Sequence, residues 1–175
     1  MITLVLGGDK SGKSDCALNL LLSAPGPKTM VATGEARDLS FRRQIADHRR
    51  SRPAEVRVVE ARRRLAETLD EELARLDDAP GGGVLVDSLD FWLFQVADDQ
   101  AAQAALLDRL ERWPRRPEGP ALLLVSAEVG LGPLAASAET RRFVRGLGAF
   151  NQAAARLADR VLFTVAGLPL TVKGS

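Results

Sequence analysis

Tyrosine is absent from this 175-residue chain, and cysteine and histidine occur once each. The single cysteine, Cys16, excludes an internal disulfide and a cysteine-based zinc cluster. The single histidine, His48, means that any imidazole chemistry rests on one residue. An excess of either charge is also lacking, with 24 Lys and Arg against 23 Asp and Glu and a net charge of +1. That balance gives no electrostatic case for nucleic acid or an anionic membrane surface as a partner. No apolar run approaches the ~18 residues of a spanning helix. Residues 2–6 are too short for the apolar region of a signal peptide and lead straight into a polar loop. A cytoplasmic protein without membrane insertion is expected. Hydrophobic residues make up 46% of the chain, enough for a core. The length suits one domain over residues 1–175.

What is present begins at once. The strand-like run Ile2-Thr3-Leu4-Val5-Leu6 leads into Gly7-Gly8-Asp9-Lys10-Ser11-Gly12-Lys13-Ser14, the P-loop pattern G-x-x-x-x-G-K-[ST]. Each part has a physical task. Gly12 permits backbone angles that aim successive N–H groups at phosphate oxygens. A helix starting near Lys13 adds its positive end. Lys13 is placed to reach the β- and γ-phosphates, and the Ser14 hydroxyl to bind Mg²⁺. Ala17, Leu18, Leu21 and Leu22 supply the helical apolar spacing the motif requires after it. The pattern fixes a nucleotide as ligand and leaves the reaction open.

Along the chain, short apolar runs alternate with amphipathic stretches. Strands are expected at 2–6, 28–33, 55–59, 83–87, 121–126 and 160–166, with a last strand near 169–173 folding back through Gly167-Leu168-Pro169. Helices are expected at 13–23, about 38–51, 61–77, 89–98, 101–113 and 137–158. Residues 84–87 and 121–125 are apolar enough to be strands buried on both faces. The alternation implies an α/β layer fold with a mostly parallel sheet and a ligand at the carboxyl ends of its strands. The breaks Pro25-Gly26-Pro27, Pro80-Gly81-Gly82-Gly83 and Pro114 to Pro120 each precede a strand and read as connections.

Three further places could carry chemistry. Asp87 ends the strand Val84-Leu85-Val86-Asp87, where a carboxylate suits Mg²⁺, directly or through water. The alternative is an N-cap for the next helix, and Asp90 is a neighbouring candidate. His48 stands in Asp47-His48-Arg49-Arg50-Ser51-Arg52-Pro53, and taken alone a lone histidine among arginines reads as a solvated surface residue, although nearby cations favour the neutral imidazole that a nucleophile needs. The arginines suit triphosphate oxygens, or simply water. Glu128 lies after a strand in a glycine-containing loop and suits orienting a hydroxyl or facing solvent. Asn151-Gln152, inside a long helix, means nothing alone.

Together, in order and spacing, these pieces resemble the bifunctional adenosylcobinamide kinase/adenosylcobinamide-phosphate guanylyltransferase family of cobalamin synthesis. The resemblance is carried by Gly7-Gly8 through Ser14, Ala32-Thr33, His48 with Arg52-Pro53, and Glu60. It continues through Asp87 with Trp92-Leu93, Glu128-Val129-Gly130-Leu131-Gly132, and Asn151-Gln152. It implies a P-loop NTPase (RecA-like) three-layer sandwich with a C-terminal antiparallel hairpin. It also implies two reactions. The aminopropanol hydroxyl of adenosylcobinamide is phosphorylated from GTP or ATP. GMP is then transferred from GTP through a guanylyl-histidine, giving adenosyl-GDP-cobinamide. His48 is the implied nucleophile, with Lys13 also catalytic. The implied nucleotide contacts are the loop residues Gly7, Gly8, Asp9, Lys10, Ser11, Gly12, Lys13 and Ser14, together with Thr33, Gly34, Arg49, Arg50, Ser51, Arg52, Glu60 and Asp87. Ser14 and Asp87 are the implied Mg²⁺ ligands, and a homotrimer is the implied assembly. The chain departs from the family pattern at Ser40, Gln44, Val56, Ala127 and Arg145. Two other functions fit a P-loop protein with these departures: a kinase for another small molecule, and a nucleotide-binding partner protein without transfer activity.

Overall fold

The computed structural model describes residues 1–34, 54–76, 80–116, 118–132 and 137–174. Among the described residues seven strands form one sheet: β1 (Ile2–Gly7), β2 (Lys28–Ala32), β3 (Val56–Glu60), β4 (Gly83–Asp87), β5 (Ala121–Ala127), β6 (Arg160–Val165) and β7 (Leu168–Lys173). Their spatial order is β3-β2-β4-β5-β1-β6-β7. All neighbours run parallel except β6 and β7. The described helices are α1 (Lys13–Leu22), α2 (Leu65–Leu76), α3 (Leu89–Gln95), α4 (Gln100–Glu111) and α5 (Ala138–Leu157). The helix expected at about 38–51 lies outside the described residues.

Alternation along each strand builds two cores, one on each face of the sheet. Val5, Leu85, Val125 and Leu162 point to one face and meet Ala17 and Leu21 of α1. Leu4, Val84, Val86, Leu122 and Leu124 point to the other, where Leu69, Trp92, Leu106, Leu110, Leu147 and Phe150 of α2 to α5 cover them. The central strands are therefore sealed on both sides: Val84, Leu85, Val86, Leu122, Leu124 and Val125 have no exposed surface. Cys16 is half-buried beside the α1 core.

The C-terminal hairpin closes one residue earlier than its sequence suggests. Ala166 (φ +50°) and Gly167 (φ +80°) make the two-residue turn, and both positive angles suit the twist of a tight hairpin. Leu168 and Pro169 thus belong to β7, opposite Val165 and Thr164. Proline is tolerated there because β7 is an edge strand and its outer side needs no donor. Helices α2 and α3 are shorter than expected, starting at Leu65 and ending at Gln95. Arg62 adopts a positive φ of 47° before α2, and Asp99 stops α3 from running on by capping α4 through Ala102.

Candidate active site

The strand order puts the carboxyl ends of β1 and β4 on either side of β5, and the loops leaving those two ends form the site. After β1 the chain turns through Gly8 to Gly12 and enters α1. Gly12 is left-handed (φ 88°, ψ 10°) at the N-cap position, with no side chain capping the helix. The amides of the first turn are thus left for an anion. Gly12 O accepts the first helical bond from the Cys16 amide (2.9 Å). A side chain at Gly12 would also meet Gly167 Cα at 3.0 Å, and one at Gly7 would meet Thr164 O at 2.8 Å. At Gly7 packing demands glycine, and at Gly12 the left-handed backbone does, with a tight contact beside it. Lys13 Nζ arches back and donates to Gly8 O (3.1 Å), across the loop that the phosphates need. Asp9 and Lys10 are exposed, while Ser11 is buried.

The Ser14 hydroxyl donates to Asp87 Oδ1 (3.2 Å), joining the start of α1 to the end of β4, 73 positions apart. The cap of α3 is Ser88, not Asp87, which removes the capping explanation for this carboxylate. One hydroxyl and one carboxylate side by side are hard oxygen donors of the kind Mg²⁺ takes, alongside substrate phosphates and water. Asp90 is committed elsewhere, accepting from the Ala127 amide (3.1 Å) and pinning α3 to the end of β5.

Thr33 holds the ends of β2 and β4 together. Its hydroxyl donates to Ser88 O (2.6 Å) and accepts from the Ser88 amide (2.9 Å), and its own amide donates to Asp87 O (3.2 Å). With 1% of its surface exposed, Thr33 steadies the Asp87 backbone through the main chain. Gly34 follows, half-buried. Glu60 ends β3 level with Ala32, which is level with Asp87. Two strand spacings separate the Glu60 and Asp87 backbones, about 10 Å.

Glu128 folds onto its own loop, accepting from the Gly130 amide (2.9 Å), while its amide donates to Gly7 O (2.9 Å). Asn151 gains a role that sequence does not reveal. It accepts from Ser126 Oγ (2.7 Å) and donates to Ala127 O (3.0 Å), tying α5 to the end of β5. The Gly167 turn is a second such contact, donating to Ser11 O (2.9 Å). Only the positive-φ signal of a glycine in a hairpin hints at it. His48, Arg49, Arg50, Ser51 and Arg52 lie outside the described residues.

Comparison with known proteins agrees with this geometry. Residues 3–172 match the family described as cobinamide kinase / cobinamide phosphate guanyltransferase. The chain is 39% identical to the bifunctional adenosylcobalamin biosynthesis protein CobP of Pseudomonas aeruginosa, over 99% of this chain and 98% of that one. It is 30% identical to CobU of Salmonella typhimurium, a protein with the same bifunctional description, over 99% of this chain and all of that one. Among solved structures it is similar to an ATPase of a bacterial type III secretion system (TM-score 0.65, 12% identity, 97% of this chain and 56% of that one). It is also similar to a KaiC-like protein of Pyrococcus horikoshii (TM-score 0.52, 14% identity, 93% and 69%). At such identities these structures speak for the P-loop NTPase fold alone.

Proposed function

The chain belongs to the cobinamide kinase / cobinamide phosphate guanyltransferase family, and we propose that it performs both reactions on one acceptor. In the first, the acceptor's aminopropanol hydroxyl attacks the γ-phosphorus of GTP or ATP. The bond to the nucleoside diphosphate breaks, and the hydroxyl proton leaves with solvent. In the second, the neutral imidazole of His48 attacks the α-phosphorus of GTP and pyrophosphate departs. An oxygen of the acceptor's new phosphate then displaces the imidazole, giving adenosyl-GDP-cobinamide. Imidazole suits this relay because it is both a nucleophile and a leaving group.

The observation that carries the nucleotide half is the Ser14–Asp87 contact beneath the P-loop (3.2 Å). Ser14 and Asp87 would hold Mg²⁺, which when bound offsets charge developing on the phosphates. Lys13 needs only to swing from Gly8 O to a phosphate oxygen, keeping its ammonium in use. The uncapped amides at the start of α1 contribute fixed positive dipoles. Arg49, Arg50, Ser51, Arg52 and Glu60 are assigned to the guanylyl site through the family pattern. The same pattern takes the assembly as a homotrimer. Leu168, Leu170 and Val172, exposed by 57–70% on β7, offer apolar surface for subunit contact, and light scattering tests it.

The experiment is labelling with α-³²P-GTP and Mg²⁺, with His48→Ala in parallel. Acid-labile, alkali-stable label on the wild type and none on the variant is the expected result. GMP transfer to cobinamide phosphate that survives His48→Ala would overturn the covalent route.

A further inference from the structure

A cleft of about 920 Å³ opens between α3, the turn after it, α4 and the first half of α5. Leu93, Phe94 and Phe143 make its apolar part, with the two phenylalanine rings edge to face (5.6 Å, 78°). Its position follows from two hydrogen bonds. Asn151 ties α5 to the carboxyl end of β5, and about 20 Å of helix separate it from Ala138 at the start of α5. Asp90 fixes α3 at the same strand end, and Leu93 and Phe94 stand one turn further on. Two walls of the cleft are therefore anchored at the carboxyl end of β5, next to the β4 end that carries Asp87.

Its chemistry is not that of a phosphate site. Among the described lining residues Arg142 is the only cation, it is paired with Asp98 (2.7 Å), and Glu139 adds a further negative charge. A neutral or cationic ligand suits that balance. The size is at the upper end for small-molecule sites. Gln100, Asp98 and Arg142 present groups that bond amides, which both donate and accept. The Asp98–Arg142 pair is 80–85% exposed on both sides and yields cheaply to a ligand.

We infer that this cleft binds the acceptor's macrocycle, seating its apolar face on Phe94 and Phe143 and its amide fringe on the polar rim. The arm that is phosphorylated then points toward Ser14 and Asp87. This rests on the function proposed above.

The test fills the cleft. A Cβ built on Gly146, a lining residue on α5, meets nothing within 4 Å, so Gly146→Phe starts a bulky side chain at the cleft wall without a clash at its first atom. Cobinamide binding is followed by equilibrium dialysis and GTP binding by a fluorescent analogue. Gly146→Phe is expected to weaken cobinamide binding at least tenfold and to raise its KM more than it lowers kcat. GTP affinity should stay within twofold. Should thermal melting show Gly146→Phe misfolded, Phe94→Ala decides by the same readouts, since that side chain is 55% exposed. Wild-type cobinamide affinity in the folded variant overturns the cleft and leaves the function standing. A wild-type protein that binds GTP but no cobinamide overturns the function, and this inference with it.

Discussion

The amide of Gly167, in the turn between β6 and β7, donates to the carbonyl of Ser11 in the phosphate-binding loop (2.9 Å). The loop is thus braced from the far side by a hairpin that touches it nowhere in sequence. Gly167 holds a φ of +80°, a region that costs a β-branched residue about 1–2 kcal/mol. Gly167→Val is expected to lower Tm by several degrees and to weaken GTP binding as Ser11 loses its brace. Gly8→Ala is the contrast, because an added Cβ there meets nothing within 4 Å. Its Tm should match the wild type, while the methyl beside the loop weakens GTP binding. Thermal melts and a fluorescent GTP titration separate the two, and equal Tm losses would sink the distinction.

The Ser14–Asp87 pair predicts a specific loss. In Asp87→Asn the charge that favours a divalent cation is gone, but a side chain of the same shape still accepts from Ser14. In Ser14→Ala the hydroxyl proposed as a ligand is gone. Both variants should bind GTP in EDTA as the wild type does and lose at least tenfold of the gain that Mg²⁺ confers. Isothermal titration with and without Mg²⁺ reads this directly. A full Mg²⁺ gain in both variants would remove them from the metal site.

The α/β order, the parallel sheet and the P-loop were legible because each is local. Leu4 and Val5 alternate, Val84 to Val86 are apolar throughout, and Gly12-Lys13-Ser14 is a contiguous signal. Contacts between loops were not legible. The sequence leaves Asp87 open as the cap of the next helix; only the turn shows Ser88 at that position and Ser14 against the carboxylate. Asn151 is one polar residue in a helix until packing brings it to Ser126. The end of α3 at Gln95 was also hidden, since the apolar pattern runs on through Val96 while Asp99 already caps α4.

A buried carboxylate away from the site predicts a pH dependence. Glu72 on α2 is 4% exposed. It accepts from Thr29 Oγ1 and Arg75 Nε (each 2.9 Å) and from Arg57. Burial opposes its ionisation, but the donors from Arg57, Arg75 and Thr29 together outweigh it and lower its pKa. A lowered carboxylate pKa stabilises the fold above the ordinary range and loses that contribution as pH falls through the lowered value. Glu72→Gln should therefore cost about 2 kcal/mol at neutral pH. The gap to the wild type should narrow on the acid side of the carboxylate range. Urea denaturation at both conditions measures it, and a gap independent of pH would show that the charge contributes nothing.

Asn151 offers the sharpest test of how the fold sets the site edge. Its amide satisfies Ser126 Oγ, on a residue with no exposed surface, and Ala127 O. Both belong to the strand end from which the Glu128 loop departs to meet Gly7 O. Asn151→Leu keeps the volume but leaves one buried donor and one acceptor without their partner, at about 1–3 kcal/mol for each such group. In a Ser126→Ala background the stranded donor is already gone, so the same change should cost less. The difference between the two costs, from urea denaturation of the four proteins, is the coupling between helix and strand. A coupling near zero would mean that the amide acts only through Ala127, and that Ser126 takes no part in holding α5 against the edge.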